Sequence, residues 1–122
     1  TKINYEKFFV DFIKNDADMS VVTIPYVVDV PYAVMETNNN HVLSLKEKPK
    51  NTYYCNAGIY LIKKKMISKI PKNTCYNATD LMESVINTGK KIISHPIRDY
   101  WLDIGSHKDY EQAQIDIEKL NL

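Results

Sequence analysis

The stretch Tyr100-Trp101-Leu102-Asp103-Ile104-Gly105 holds the single Trp of the chain and one of its three Gly, with a carboxylate between them. The residues before it, 90–97, form an apolar run that contains a Pro near its end and predicts a strand. After it, Ser106 precedes Asp109 by three residues, which is a capping-box start for a helix. An Asp between a strand and a helix lies where α/β proteins build their sites. The alternative is a tight turn in which Asp103 bonds to local backbone N–H groups.

Length and composition indicate one globular domain, because the chain has 122 residues, of which 44% are hydrophobic and 25% charged. No apolar run approaches the roughly 18 residues that span a bilayer, so we expect no membrane partner. No basic-then-apolar leader is visible, so nothing argues for secretion. The two cysteines, Cys55 and Cys75, have neither C-x-x-C nor zinc-ligand spacing, and we expect buried, free thiols in a cytoplasmic protein.

The formal net charge of +1 hides an uneven distribution, since eight lysines face a single acid, Glu47, between residues 46 and 72. A basic middle between acidic ends suggests an anionic ligand near the middle. The alternative is an ordinary solvated surface, and we favour it for Lys63-Lys64-Lys65. The nine tyrosines do not alternate with lysines as a nucleic-acid stacking platform would, so we expect no nucleic-acid partner.

The first half of the chain predicts a helix, a buried strand and a hairpin. Asn4 can cap the helix. The apolar face of this helix consists of Tyr5, Phe8, Phe9, Phe12 and Ile13. The β-branched run Met19–Tyr26 predicts a buried strand that ends at Pro25. Short strands over residues 32–36 and 42–45 flank a turn rich in Asn and predict the hairpin.

The second half predicts a buried strand and alternating helices. Residues 53–62 form the strand, and Gly58 inside it marks a bulge or a ligand close to the backbone. A helical turn is expected near residues 64–70, followed by a helix that Asn77 starts and Gly89 stops. The predicted inner faces of the last two helices are Leu81, Met82, Val85 and Ile86, and then Ala113, Ile117 and Leu120. This order of elements predicts an α/β sandwich with a mixed sheet.

Four short motifs, taken together, resemble the sugar nucleotidyltransferases, the pyrophosphorylases that make nucleotide-sugars. The motifs are Pro31-Tyr32-Ala33-Val34, Glu47-Lys48-Pro49, Asn56-Ala57-Gly58-Ile59-Tyr60 and the Tyr100–Gly105 stretch. Their order and spacing match the family, and the likeness covers essentially all 122 residues. Among the subfamilies the chain is most similar to mannose-1-phosphate guanylyltransferase-like proteins. The resemblance implies the C-terminal part of a Rossmann-like nucleotidyltransferase domain.

The resemblance also implies a reaction in which a sugar-1-phosphate oxygen attacks the α-phosphate of an NTP and pyrophosphate leaves. By the same resemblance, Asp103 holds Mg²⁺ and Lys48 meets the sugar phosphate as a point charge. Glu47 accepts hydrogen bonds from sugar hydroxyls, and Asn56 and the backbone around Gly58 line the sugar pocket. The plainer alternatives are a surface ion pair between Glu47 and Lys48, and a simple bulge at Gly58.

The chain departs from the family in three places. The family holds its NTP in an N-terminal Gly-rich loop, whereas the glycines here, at 58, 89 and 105, are far apart. A second metal-binding Asp of the family lies just before the segment that matches Thr1. We therefore expect residues 1–122 to be the C-terminal half of a catalytic domain, inactive alone, with most of the NTP site in the missing half. Ala33, a further candidate for the sugar pocket, stands where the family usually has Gly.

A non-catalytic module that binds sugar phosphates or a protein is the alternative function. For the fragment of a catalytic domain we expect a homo-oligomer, whereas a stable monomer would favour the module. In a whole domain the Met19–Tyr26 strand would pair with strands of the missing half, so in this chain we expect an unpaired apolar edge. A second copy could cover that edge, with the N-terminal helix exchanged between copies.

Overall fold

The computed structural model describes residues 1–121 and contains a three-stranded sheet, a separate hairpin and four helices within that range. The helices are α1 (Tyr5–Lys14), α2 (Lys64–Ile67), α3 (Ala78–Asn87) and α4 (His107–Leu120). The strands are β1 (Met19–Asp29), β2 (Val34–Asn38), β3 (His41–Lys46), β4 (Lys50–Ile62) and β5 (Ile92–Pro96). No helix in the described part of the chain combines the length and apolar character that crossing a bilayer requires.

β1 is the central strand of the main sheet, whose order is β4-β1-β5. It pairs antiparallel with β4 along most of its length and parallel with β5 over Met19–Thr23. β2 and β3 form the separate hairpin. The predicted α/β class with a mixed sheet is confirmed. The prediction of an unpaired edge at β1 is wrong for Met19–Thr23. The chain returns through α3, so that β5 lies beside this part of β1.

The core has two parts, one on each face of β1. On one face, Val22 packs with Phe8 of α1 and with Ala57 and Ile97. On the other face, Met19 and Val21 pack with a cluster of side chains from α2 and α3. The members of that cluster are Met66, Leu81 and Val85. Met19–Thr23 is buried throughout, so the predicted buried strand is confirmed over these five residues.

Local chemistry sets the helix ends where the sequence predicts them. Asn4 accepts a hydrogen bond from the Lys7 N–H at 2.8 Å and starts α1. Ser106 accepts one from the Asp109 N–H at 3.2 Å and starts α4. Gly89, at φ 68°, follows α3 in the left-handed conformation that favours glycine. In each case the groups involved lie within a few residues of each other in the sequence, so the sequence alone reveals these helix ends.

Pro25 does not end β1, which continues to Asp29. Beyond Thr23 the strand pairs with β4 on one side and, among residues 1–121, with no strand on the β5 side, and Pro is tolerated in such an edge position. Residues 24–29 and 50–55 therefore form a two-stranded extension of the sheet, which we call the arm. Tyr26 on the arm is 60% exposed, and in β4 only Ala57 is buried. The prediction that both strands are buried along their whole length is thus wrong.

Several predicted core positions are exposed as well. Phe9 and Ile13 of α1 and Ile86 of α3 all lie on the solvent side. No described residue of α4 is buried, and Ile117 is 52% exposed although the helical spacing placed it inward. Cys75 is exposed and Cys55 half-buried, so the expectation of buried thiols is wrong, while both are free. Helical periodicity defines an apolar face, but it does not reveal how much of that face a neighbour covers.

A buried carboxylate joins three elements at one end of β1. Asp18 lies just before β1, and its Oδ2 accepts a hydrogen bond from the Lys91 N–H at 3.0 Å, next to β5. The Lys65 ammonium of α2 lies 2.9 Å from Oδ1 in an ion pair. The bond from the Lys91 backbone, followed by the contact with Lys65, lowers the pKa of Asp18 to about 2.

The stability of the fold should therefore depend on pH through Asp18. The pKa is lower in the folded chain than its ordinary 3.8, so this stabilisation is complete above about pH 4 and is lost as pH falls towards 2. The measurement is urea unfolding from pH 6 to pH 2 for the parent chain and for Asp18→Asn. The difference in unfolding free energy should be largest at pH 6 and should be mostly lost at pH 2. The exposed Asp29→Asn is the control, and a pH-independent difference for Asp18→Asn would contradict the prediction.

Candidate functional site

A bulge in β4 forms the floor of the candidate site. Val21 pairs with Tyr60 and Thr23 pairs with Asn56, so the residues of β4 between these partners lie opposite Val22 alone. The Asn56 Oδ1 accepts a hydrogen bond from the Gly58 N–H at 2.8 Å. Gly58 itself has φ 75°, a conformation that other residues adopt at a cost. The short Asn-x-Gly sequence is thus the local cause of the bulge.

The Tyr100–Gly105 stretch is fastened to this bulge by its Trp. The Trp101 indole N–H donates a hydrogen bond to the Ala57 carbonyl oxygen at 3.0 Å. The ring also packs against the core cluster around Val22. Trp101 is thus a packing residue, and its hydrogen bond adds a directional link between residues 44 positions apart. This link places the loop that carries Asp103 beside the bulge.

Asp103 faces a cavity of about 220 Å³ at this junction. The cavity is lined by Asn56, Ala57, Gly58, Trp101 and Asp103. Asp103 is exposed, and within residues 1–121 its carboxylate accepts no hydrogen bond from the protein. The turn-capping alternative therefore lacks the local backbone bonds that it requires. The structure brings together three of the residues that the sequence predicted for the site, namely Asn56, Gly58 and Asp103.

The remaining predicted site residues lie elsewhere on the surface. Ala33 is exposed just before β2, and Glu47 and Lys48 are exposed in the turn between β3 and β4. From that turn, β4 runs six residues to the bulge, about 20 Å at 3.3 Å per residue. Lys48 has φ 42°, which is uncommon for a residue with a side chain and fixes the direction of its Cα–Cβ bond. The roles of these three residues stay predictions.

Sequence reasoning missed a second anchor of the Asp103 loop. The Tyr100 hydroxyl donates a hydrogen bond to Asp116 Oδ2 at 2.7 Å, and Gln112 donates to Oδ1 at 2.8 Å. The bond between Tyr100 and Asp116 raises the pKa of the phenol and lowers the pKa of the carboxyl. It ties the loop to α4. Nothing in the local sequence signals it, because the partners are 16 residues apart.

The side chains around Asp103 determine whether this site could bind a metal ion. No group of three or more His, Cys, Asp or Glu side chains that could hold a metal ion occurs in the described part of the chain. Mg²⁺, however, is commonly held by one or two carboxylates together with substrate phosphates and waters. The exposed Asp103 carboxylate fits one ligand of such an ion.

Comparison with known proteins identifies the family. Residues 1–120 match the family model described as Nucleotidyl transferase. The chain belongs to the nucleotidyl transferase family. The resemblance to the sugar nucleotidyltransferases, and with it the assignment to an enzyme family, is confirmed.

The curated relatives of this family member are much longer than the chain. This chain is 27% identical over 128 residues to the glucose-1-phosphate adenylyltransferase of Fusobacterium nucleatum. The match covers 95% of this chain and 33% of that protein. The chain is 29% identical over 138 residues to the protein of the same name from Clostridium botulinum, covering 99% of this chain and 36% of that protein. The chain thus spans about a third of the length of these relatives. The closer likeness to mannose-1-phosphate guanylyltransferases stays a prediction.

Solved structures confirm the fold of the nucleotidyl transferase chain. A putative glucose-1-phosphate thymidylyltransferase from Bacillus anthracis, solved in complex with a sucrose, superimposes with a TM-score of 0.63 at 21% identity. That match covers 93% of this chain and 49% of the solved chain. HddC from Yersinia pseudotuberculosis gives a TM-score of 0.60 at 24% identity, covering 95% and 50% respectively.

The two glycines near the site should respond differently to a methyl group. Gly58→Ala should lower the unfolding free energy by about 1–2 kcal/mol, because its φ of 75° is left-handed and the cost is one of backbone strain. Space is not the cause, since nothing lies within 4 Å of a Cβ built at Gly58. Gly105→Ala is the matched control and should be close to neutral, because its Cβ would meet Asp103 Oδ2 at an ordinary 3.6 Å. Urea unfolding of both variants checks this, and equal losses would contradict it.

Proposed function

We propose that this chain is the sugar-phosphate side of a catalytic domain that joins an NTP and a sugar-1-phosphate to give an NDP-sugar and pyrophosphate. The observation that carries the proposal is the cavity where Asn56, Gly58 and Asp103 meet. Family membership over residues 1–120 supports the reaction class. The names of the curated relatives favour glucose-1-phosphate among the sugars, while the motifs favour mannose-1-phosphate.

The bulge suits a sugar ring for two reasons. Gly58 leaves open space beside the backbone, since nothing lies within 4 Å of where a Cβ would be. Asn56 uses one lone pair for the Gly58 N–H and one N–H for the Tyr60 hydroxyl, at 2.8 Å each. One N–H and one lone pair of its amide remain for a ligand. Sugar hydroxyls, which both donate and accept, are matched partners for this amide.

Asp103 would hold Mg²⁺ at the edge of the same cavity. When bound, the ion neutralises charge on the reacting phosphate oxygens. The chain's own contribution is to hold the carboxylate in place, through the Trp101 bond to Ala57 and the Tyr100 bond to Asp116. Preorganisation of this kind is where such enzymes gain most of their rate.

Lys48 is proposed to bind the sugar phosphate as a point charge, with Glu47 directed to sugar hydroxyls. Because their turn lies about 20 Å along β4 from the bulge, the proposal includes a bend of the arm toward the cavity when substrate binds. The β2–β3 hairpin and most of the arm are exposed, so such a bend breaks few buried contacts. Ala33, before β2, would then approach the sugar with its backbone.

In this proposal, the residues that bind the NTP lie outside this chain. A phosphate cradle needs successive backbone N–H groups in a Gly-rich turn, and the three glycines here are too far apart to form one. We therefore propose that the chain binds sugar-1-phosphate but does not turn over by itself. A cytoplasmic location is also proposed, the compartment where free thiols such as Cys55 and Cys75 persist.

The isolated chain should bind a sugar-1-phosphate and release no pyrophosphate. Binding is measured by ¹H–¹⁵N shifts on titration with glucose-1-phosphate and mannose-1-phosphate, and we expect the shifts at Asn56, Gly58 and Lys48. Pyrophosphate release is measured with Mg²⁺, a panel of NTPs and both sugars. The same spectra show that the chain is folded. Absence of shifts would contradict the sugar-phosphate site, and turnover well above a blank would contradict the assignment of the NTP side to another segment.

In the full-length enzyme that contains this chain, two substitutions should distinguish the role of Asp103 from that of Lys48. Asp103→Asn should lower kcat by about a hundredfold or more, because it weakens one charge-stabilising ligand. Lys48→Ala should raise the KM for sugar-1-phosphate about tenfold to a hundredfold, because it removes one charge-assisted contact. Lys48→Gly, which also relieves the positive φ, should match Lys48→Ala. Lys50→Ala is the control, and an unchanged kcat for Asp103→Asn would return that residue to a structural role.

A further inference from the structure

A shallow apolar groove beside α2 is separate from the candidate site. It has a volume of about 800 Å³. Its lining consists of Lys64, Ile67, Ser68, Ile70, Pro71 and Lys72. The side chains of Ile67 and Ile70 are exposed in this α2 groove, at 52% and 37%. Aliphatic side chains left open between two ammonium groups indicate a surface that a partner covers.

The lysines of this region divide into two groups. Lys63 lies 2.6 Å from Asp16, and Lys65 lies 2.9 Å from Asp18, so acids of the same chain neutralise both. Lys64 and Lys72, on the rim of the α2 groove, have no carboxylate within 4.0 Å among residues 1–121. The groove therefore offers a hydrophobic floor with positive charge that is not compensated within the described chain. A ligand that matches it carries acids on either side of an aliphatic residue.

The outer face of α4 has that pattern. Glu111, Ile115 and Glu118 are spaced four and three residues apart, so they form one ridge on the helix surface. Ile115 is 46% exposed, and the two glutamates lie about 10 Å apart along the helix axis. Within α4 the other two acids are already bonded, Asp109 to Ser106 and Asp116 to Tyr100. The one ion pair of Glu111 in the described chain is with the exposed His107, at 3.4 Å.

We propose that α4 of one copy of this chain docks in the α2 groove of a second copy. Ile115 lies against Ile67 and Ile70, and the two glutamates face the two rim lysines. An amphipathic helix in a hydrophobic groove is a common recognition mode. A second copy is the occupant because one chain carries both complementary surfaces, and a near-neutral net charge of +1 leaves little repulsion between copies. When the contact is reciprocal, a two-fold dimer covers both grooves and both helices.

The test is a charge swap read by sedimentation equilibrium over a micromolar dilution series. The parent chain should dimerise. Lys64→Glu with Lys72→Glu, and separately Glu111→Lys with Glu118→Lys, should each weaken dimerisation at least about tenfold, because each pair sets like charges against each other. Mixing the two double variants should restore association as a heterodimer. Ile67→Ser, which changes no charge, should also weaken it.

The controls exclude a general charge effect and a loss of fold. Lys7→Glu with Lys90→Glu makes the same charge change at exposed positions away from the α2 groove, and it should leave dimerisation within about twofold of the parent. Far-UV circular dichroism spectra should be unchanged for all variants, which shows that each of them is folded. A parent chain that stays monomeric through the series would overturn the proposal. Dimerisation that resists both charge swaps, or that Ile13→Glu on the exposed face of α1 abolishes instead, would also overturn it.

Discussion

The burial of β1 on both faces, with both of its edges paired, is the constraint on which the rest of the structure depends. Over Met19–Thr23 the strand is paired along both edges and covered on both faces. A strand in that position is mostly apolar, although Ser20 and Thr23 are buried here as well, and each of its faces requires a helix layer. α1 supplies one layer, and α2 with α3 supplies the other. Asp18 then closes one end of the strand, because its carboxylate joins β1 to the segments that carry Lys65 and Lys91.

The candidate site lies where this constraint ends. The β4 bulge sits opposite Val22, and β5 stops pairing with β1 at Thr23. Beyond that point the sheet has only two strands, so the backbone around Gly58 and the loop that carries Asp103 are open to a ligand. The part of the fold that packs on the core thus holds Asn56, Gly58 and Trp101. The arm, with Lys48 at its far end, extends away from it.

Much exposed apolar surface remains outside the core. It occurs on α1, on the arm and hairpin, on α4 and around the α2 groove. A single cause does not account for all of it. The chain covers about half of the solved structures that share its fold, and an interface with further chain segments is one physical reason for such surface. In the α2 groove, two lysines that have no ion pair within the described residues define the charge of what would cover it.

The sequence by itself determined the features whose causes are local. The helix starts at Asn4 and Ser106, the stop at Gly89 and the bulge at Gly58 all follow from bonds that span a few residues. The α/β class followed from the order of such elements, and the family followed from four motifs in register.

The tertiary structure alone decided which strands are neighbours and which apolar faces are covered. It made β1 central, let the strand continue past Pro25, and left Ile117 exposed, because coverage depends on elements distant in sequence. The bonds that place Asp103 beside the bulge, from Trp101 to Ala57 and from Tyr100 to Asp116, are of the same kind. Their partners meet only after the sheet has formed.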